Sequence, residues 1–202
     1  MLAAKHEVDS IDIIAHSRGT DVVTTALREL MIEARGAQIH PKQMLKTGTL
    51  IMAAPDLDVG IVRQRLQAER FSESFEQINL YINPGDTALR ISAFLTRSTR
   101  LGALRNEDFA EGELEQLRDQ ALVHFIRVED VRGGFGHAYF RDNPAVLSDV
   151  VLALRTRAFP GGTLRPLEQD EDGVWVLHPN YPLDRLPDLI GLEARAARSD
   201  ER

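Results

Sequence analysis

Short apolar runs alternate with stretches of helical periodicity along most of the chain. Four apolar runs bounded by polar residues predict buried strands. They lie at residues 11–15, 49–53, 78–83 and 122–128. Apolar residues spaced by three and four predict four amphipathic helices, at residues 21–35, 59–70, 87–95 and 143–158. Because a parallel pair of strands needs a crossover that a helix supplies, this alternation predicts an α/β fold with a parallel sheet.

The alternation is interrupted between residues 96 and 120. This stretch is rich in Glu and Asp and contains no strong apolar period. It predicts a surface excursion with one solvated helix, and a lid over an active site is the alternative interpretation.

The C-terminal part follows a different pattern. Residues 163–177 predict a β-hairpin whose strands are the first six and the last four of these residues, with Gly173 closing the turn. Trp175 is expected to pack back onto the domain. We therefore predict one domain over residues 1–179 and a disordered, Pro- and charge-rich tail over residues 180–202.

Composition excludes several specialised classes of protein. The 202 residues suffice for one domain with a sizeable core, and 43% of them are hydrophobic. The net charge of −7 and the lack of a basic stripe with interleaved aromatics predict no nucleic-acid partner. No apolar run approaches the roughly 20 residues of a membrane span. The absence of cysteine and of an apolar signal core makes a cytoplasmic location the default expectation.

The first predicted strand runs directly into a tight turn around a serine. Residues 11–19 read Ile-Asp-Ile-Ile-Ala-His-Ser-Arg-Gly, an apolar strand followed by a small-x-Ser-x-Gly sequence. This is the sequence form of a nucleophile elbow, in which small residues at Ala15 and Gly19 let the backbone turn and expose Ser17. The backbone N–H of Arg18 would donate to an oxyanion at the positive end of the following helix. The pattern predicts Ser17 as a catalytic nucleophile.

A serine hydroxyl needs a base, which in turn needs an orienting acid. Among six histidines, His137 is favoured because it follows the fourth predicted strand in a glycine-rich loop, where open α/β sheets build their sites. His16 is interpreted as a turn and packing residue, and His124 as a core or sheet-face histidine. The others lie near the chain ends or in a loop: His6, His40 and His178.

Asp86 is the favoured acid. It follows the third predicted strand in Tyr-Ile-Asn-Pro-Gly-Asp, and the competing interpretation is that it only caps the next helix. Asp56 and Asp58, after the second strand, are alternative acids with the same competing interpretation. Asp130 is disfavoured because it lies too close in sequence to the favoured base. No metal-ligand spacing and no phosphate-cradling loop is visible, so we expect neither a metal nor a cofactor.

Four stretches, in this order, resemble the α/β-hydrolase superfamily. They read Ala-His-Ser-Arg-Gly, Leu-Ile-Met-Ala-Ala-Pro-Asp-Leu-Asp, Tyr-Ile-Asn-Pro-Gly-Asp-Thr-Ala-Leu-Arg-Ile-Ser and Gly-His-Ala-Tyr-Phe. They are most similar to a bacterial branch of uncharacterised, esterase-like α/β hydrolases, which the short sequence Arg-Leu-Gly at residues 100–102 also resembles. The resemblance covers residues 8–158 and implies that Ser17 is the nucleophile, Asp86 the acid and His137 the base, with no cofactor.

The sequence departs from this family at the front of the fold. The fold that it resembles has eight strands and an elbow after the fifth, whereas here the elbow follows the first. We therefore expect an α/β-hydrolase fold truncated at its N-terminus, with about four core strands and the C-terminal hairpin. The loop that normally supplies a second oxyanion donor would be absent. One edge of the first strand would be bare and apolar, which predicts pairing with a second copy or with a missing N-terminal half.

The sequence thus predicts a serine hydrolase that cleaves an ester or related acyl bond of a small molecule. An acyltransferase with the same triad is one alternative. An alternative from another class is a catalytically incomplete remnant of the fold, which would bind a partner or itself through the bare strand edge.

Overall fold

The computed structural model describes residues 8–104, 122–129, 136–179 and 181. Their strands form one six-stranded sheet. The strands are β1 (Ile11–His16), β2 (Thr47–Ala53), β3 (Gln77–Ile82), β4 (Val123–Val128), β5 (Glu168–Gln169) and β6 (Trp175–Leu177). Their order across the sheet is β1-β2-β3-β4-β6-β5, and every neighbouring pair is parallel except β5 with β6. The predicted α/β fold with a mostly parallel sheet is confirmed.

Helices connect the parallel strands. They are α1 (Gly19–Gly36), α2 (Pro41–Leu45), α3 (Val59–Arg63), α4 (Thr87–Thr96), α5 (Tyr139–Asp142) and α6 (Pro144–Thr156). α6 begins as predicted, because the Asn143 side chain accepts hydrogen bonds from two backbone N–H groups of the first turn and Pro144 occupies the first helical position. Among the described residues, no helix has both the length and the apolar character that a bilayer crossing requires.

Three helical segments differ from the expectation. The helix predicted over residues 59–70 is α-helical only to Arg63 and continues as a π-helical turn, Gln64–Ala68. α2 and α5 form where loops were expected. Each of them is shorter than two helical turns, so neither can display an apolar period in the sequence.

The C-terminal hairpin forms, but its first strand is shorter than predicted. β5 contains only Glu168–Gln169, because the chain turns between Gly162 and Arg165 and carries the Arg165 side chain into the core. β6 also pairs with β4, so the hairpin extends the main sheet. Trp175 packs against the buried cluster on one sheet face, as expected.

One residue of the predicted tail packs against the domain. Tyr181 is buried, and its hydroxyl donates to the Asp149 carboxylate at 3.0 Å. The rest of the predicted tail lies outside the described residues, as does the predicted excursion beyond residue 104.

Both faces of the sheet are covered, which explains why the strands read as continuous apolar runs. Leu50 and Leu80 point to a cluster that includes Leu27 and Met31 of α1. Their neighbours in sequence point to the opposite face and join a second cluster. That cluster includes Ile51, Tyr81, Ile126, Val146 and Val150.

β1 is the exception to this coverage. Among the described strands it pairs with β2 alone, so it lies at the edge of the sheet. Ile11 and Ile14 are exposed on it, Ile14 by 50%. The bare apolar edge expected from the sequence is therefore present in this part of the chain.

Candidate active site

Three side chains from different strand ends meet at one edge of the sheet. Ser17 directly follows β1, Asp86 follows β3 and His137 follows β4. Because these strands are parallel, their carboxyl ends lie on the same side. The His137 Nε2 atom lies 2.8 Å from Ser17 Oγ, and its Nδ1 atom lies 2.7 Å from Asp86 Oδ2. The structure thus brings together the three residues that the sequence nominated.

Ser17 occupies a strained position between β1 and α1. Its φ of +53° lies in the left-handed region, which costs a non-glycine residue roughly 1 kcal/mol or more. The Ser17 N–H donates to Ala53 O at 3.0 Å, and the Thr20 hydroxyl donates to Ser17 O at 2.6 Å. These bonds hold the backbone on both sides of the residue, so the Cα–Cβ bond of Ser17 has a fixed direction.

The two small residues of the elbow turn out to differ. Ala15 is buried, as its predicted role requires. A Cβ atom added at Gly19 would meet no described atom within 4 Å, apart from those of its own chain neighbours and helix backbone. Close packing against other described parts of the chain therefore does not account for the glycine, and its role in allowing the tight turn stays a prediction.

The two carboxylate oxygens of Asp86 contact different partners. Oδ1 accepts from the Leu89 N–H at 3.0 Å and caps α4, while Oδ2 faces His137. The Asp86 side chain is completely buried. The two competing interpretations of this residue, helix cap and partner of His137, are both realised.

The chemistry of the two side chains determines which of them donates the hydrogen bond. An ionised carboxylate only accepts hydrogen bonds, so the proton between Asp86 and His137 belongs to His137 Nδ1. In that tautomer Nε2 has a free lone pair and accepts from the Ser17 hydroxyl. This arrangement can withdraw a proton from Ser17 and return it.

Arg18 directly follows Ser17 at the start of α1. It is the N-cap residue, with no side-chain cap of its own. The first N–H groups of a helix have no intrahelical acceptor and carry the positive end of its dipole, so an oxyanion can be held there. The Arg18 side chain is 68% exposed, and its Nη1 lies 3.6 Å from Asp56 Oδ2.

The alternative acids have other partners. Asp58 Oδ1 accepts from the Ile61 N–H at 3.2 Å and caps α3. Asp56 is buried, accepts from the Ser92 hydroxyl at 3.0 Å and lies 3.2 Å from Arg100 Nε. In the part of the chain that the structure describes, neither carboxylate hydrogen-bonds to His137.

Arg100 belongs to the Arg-Leu-Gly sequence, for which the sequence alone predicts no role. Its side chain is buried next to Asp56. A Cβ at Gly102 would come within 2.7 Å of the Ala54 carbonyl carbon, so only glycine fits against the backbone of the 54–55 turn. The motif therefore fastens the segment after α4 to the segment after β2. The resemblance was the only sequence signal for this motif, since its residues form no pattern typical of a catalytic or binding site.

His16 packs under the site. Its ring stacks on Phe140 with centroids 4.3 Å apart, and its Nε2 lies 3.2 Å from His137 O. Burial lowers the pKa of His16, so the ring is neutral at neutral pH and its Nε2–H can donate to that carbonyl. The packing role predicted for His16 fits these contacts.

The remaining histidines lie away from Ser17. His124 is inside β4, where burial lowers its pKa to about 4, and His178 pairs with Glu129. His40 precedes α2, and His6 lies outside the described residues. Among the residues described, no group of three or more His, Asp or Glu is arranged to hold a metal ion.

Comparison with known proteins identifies the family of the chain. A family model described as "Alpha/beta hydrolase of unknown function (DUF900)" matches residues 1–155. The matched range contains Ser17, Asp86 and His137. No curated protein and no solved structure matches the chain.

Proposed function

Because the chain belongs to this family of α/β hydrolases of unknown function, we propose that it is a serine hydrolase that cleaves an ester or related acyl bond of a small molecule. The observation that carries the proposal is the continuous hydrogen-bond chain from Ser17 through His137 to Asp86. A nucleophile, a base and an orienting acid in contact are the parts that acyl transfer requires.

The reaction proceeds in two halves. Ser17 Oγ attacks the carbonyl carbon while His137 Nε2 takes the hydroxyl proton, and the Arg18 N–H donates to the oxyanion that forms. Asp86 stabilises the imidazolium. The C–O bond to the leaving group breaks as His137 returns the proton, which leaves an acyl group on Ser17. A water molecule, deprotonated by His137, then releases the acid and restores the serine.

A fluorophosphonate probe tests whether Ser17 is the nucleophile. We expect the wild-type protein to be labelled covalently on Ser17, and we expect no labelling of S17A, because the probe reacts with a serine that a neighbouring base activates. The labelled residue is read by peptide mass spectrometry. Hydrolysis of p-nitrophenyl acetate, followed by absorbance, then tests the ester class.

S148A is the matched control. The Ser148 hydroxyl donates to Pro144 O inside α6, so its removal changes a serine without altering the contacts of His137. S148A is expected to be labelled like the wild type. Equal labelling of S17A, or a label on another residue, would contradict the proposal.

A second candidate function is a binding or self-associating module with an incomplete catalytic site. The exposed apolar edge at β1 favours it, because an unpaired edge strand is a template for pairing with another chain. This function predicts a dimer or larger species in light scattering, and I14K should return it to a monomer because an edge lysine blocks strand pairing. A monomeric wild type that hydrolyses esters would exclude it.

A further inference from the structure

The segment that holds His137 has no regular secondary structure. Residues 136–138 precede the short helix α5 and belong to no strand. A catalytic base must nevertheless be held within about 0.5 Å of its working position. Side-chain contacts must therefore supply the support that a helix or strand would give.

Asn83 supplies one such contact and does so for two loops at once. It directly follows β3 and is buried. Its Nδ2 donates to Gly136 O at 2.8 Å, next to His137, and its Oδ1 accepts from the Gly85 N–H at 2.9 Å, next to Asp86. A single amide group thus connects the turn before the acid with the segment before the base.

The approach of Asn83 to this segment is close enough to require glycine. Gly136 has a φ of +69°, which favours glycine. A Cβ at Gly136 would lie 3.0 Å from Asn83 Nδ2 and 3.4 Å from Gly85 O. The backbone of the segment therefore lies directly on the Asn83 amide and on the turn that precedes Asp86.

Other contacts hold the segment in a different way. The Tyr139 hydroxyl donates to Tyr81 O at 2.6 Å and accepts from the Ala54 N–H at 3.0 Å, and His16 reaches His137 O. These contacts tie the segment to the ends of β1, β2 and β3. Asn83 is distinguished from them because it also contacts the turn leading to Asp86.

We propose that Asn83 is a positioning residue that fixes His137 relative to Asp86 and thereby keeps His137 Nε2 on Ser17. This inference rests on the proposed hydrolase function. A purely structural role for Asn83 would be limited to the Gly85 bond, which is an ordinary side-chain turn that serine can also form, more weakly. N83S retains an acceptor for that turn but cannot reach Gly136, and N83A loses both bonds.

The kinetic test compares the wild type with N83A, N83S and N143A. N143A is the matched control, because it also loses two side-chain hydrogen bonds, those that cap α6. We expect the labelling rate at Ser17 and the kcat for p-nitrophenyl acetate to fall about 10- to 100-fold in N83A and N83S, with KM little changed, since displacing a catalytic group costs rate. N143A is expected to keep the wild-type rate.

A second measurement does not depend on activity. The His137 Nδ1 proton, bonded to the buried Asp86, should give a low-field proton NMR resonance in the wild type and in N143A, and this resonance should weaken in N83A and N83S. Wild-type rates and an intact resonance in both Asn83 variants would overturn the inference. An unreactive wild type whose resonance is lost in the Asn83 variants would refute the hydrolase function while supporting the positioning role.

Discussion

Replacing Asp86 by asparagine is expected to lower kcat about 10⁴-fold while leaving the folded structure nearly as stable as the wild type. Asparagine caps helices as well as aspartate does, so its oxygen can still accept from the Leu89 N–H. Its NH₂ group then faces His137 Nδ1, which must accept. The ring proton moves to Nε2, facing Ser17, and the base can no longer take the serine proton.

D58N is the matched control for this prediction. Asp58 caps α3 through the same kind of bond, and it was one of the alternative acids. We expect D58N to retain the wild-type kcat, measured with p-nitrophenyl acetate, and both variants to keep their unfolding midpoints in urea. D86A should in addition lose about 1 kcal/mol of stability because it removes the cap. A D86N variant within tenfold of the wild type would mean that Asp86 serves only as the cap.

The convergence of the candidate site residues was predictable from sequence because it follows a topological rule. Parallel strands bring their carboxyl ends together, so polar residues just after apolar runs converge, and Ser17, Asp86 and His137 all follow such runs. Asn83 is also at a strand end, but the sequence gives no reason to single out this side chain. Its proposed role depends on the short distance between its amide and Gly136 O. Long-range distances of this kind exist only after folding.

The secondary-structure elements also differ in how well the sequence predicts them. The four long strands and the major helices have apolar runs or helical spacings that are long enough to identify them from the sequence. Their existence was predicted correctly. The position of β5 was wrong because Arg165 interrupts the predicted strand, and its charge suggests solvent rather than the core. A buried arginine is understood only from its partners, which come from elsewhere in the chain.

Those partners form a polar cluster inside the domain. Arg165 and Asp149 of α6 are both fully buried and make two bonds of 2.8 Å, from Nε to Oδ1 and from Nη2 to Oδ2. Hydroxyls of Tyr81 and Tyr181 donate to the same carboxylate, and Arg165 Nη1 donates to Asn79 Oδ1 at 2.8 Å. Burial raises the pKa of both tyrosines, so these hydroxyls stay protonated as donors.

R165M is expected to reduce the free energy of unfolding by about 3–5 kcal/mol, because it leaves the Asp149 carboxylate buried without a cation. A domain of this size has only about 5–15 kcal/mol in total, so the loss is a large part of its stability. Urea unfolding followed by circular dichroism measures it. R165M/D149L should be more stable than R165M, because replacing both charges with apolar side chains removes the unpaired carboxylate.

R157M is the matched control, because it removes an arginine from ion pairs at the surface. Arg157 pairs with Asp12 and Glu76, but it is partly exposed, and exposed pairs contribute about 0–1 kcal/mol. If R165M cost no more than R157M, the Arg165 guanidinium would not be the group that balances Asp149. If R165M/D149L were no more stable than R165M, the loss would come from packing around residue 165 rather than from an unpaired charge.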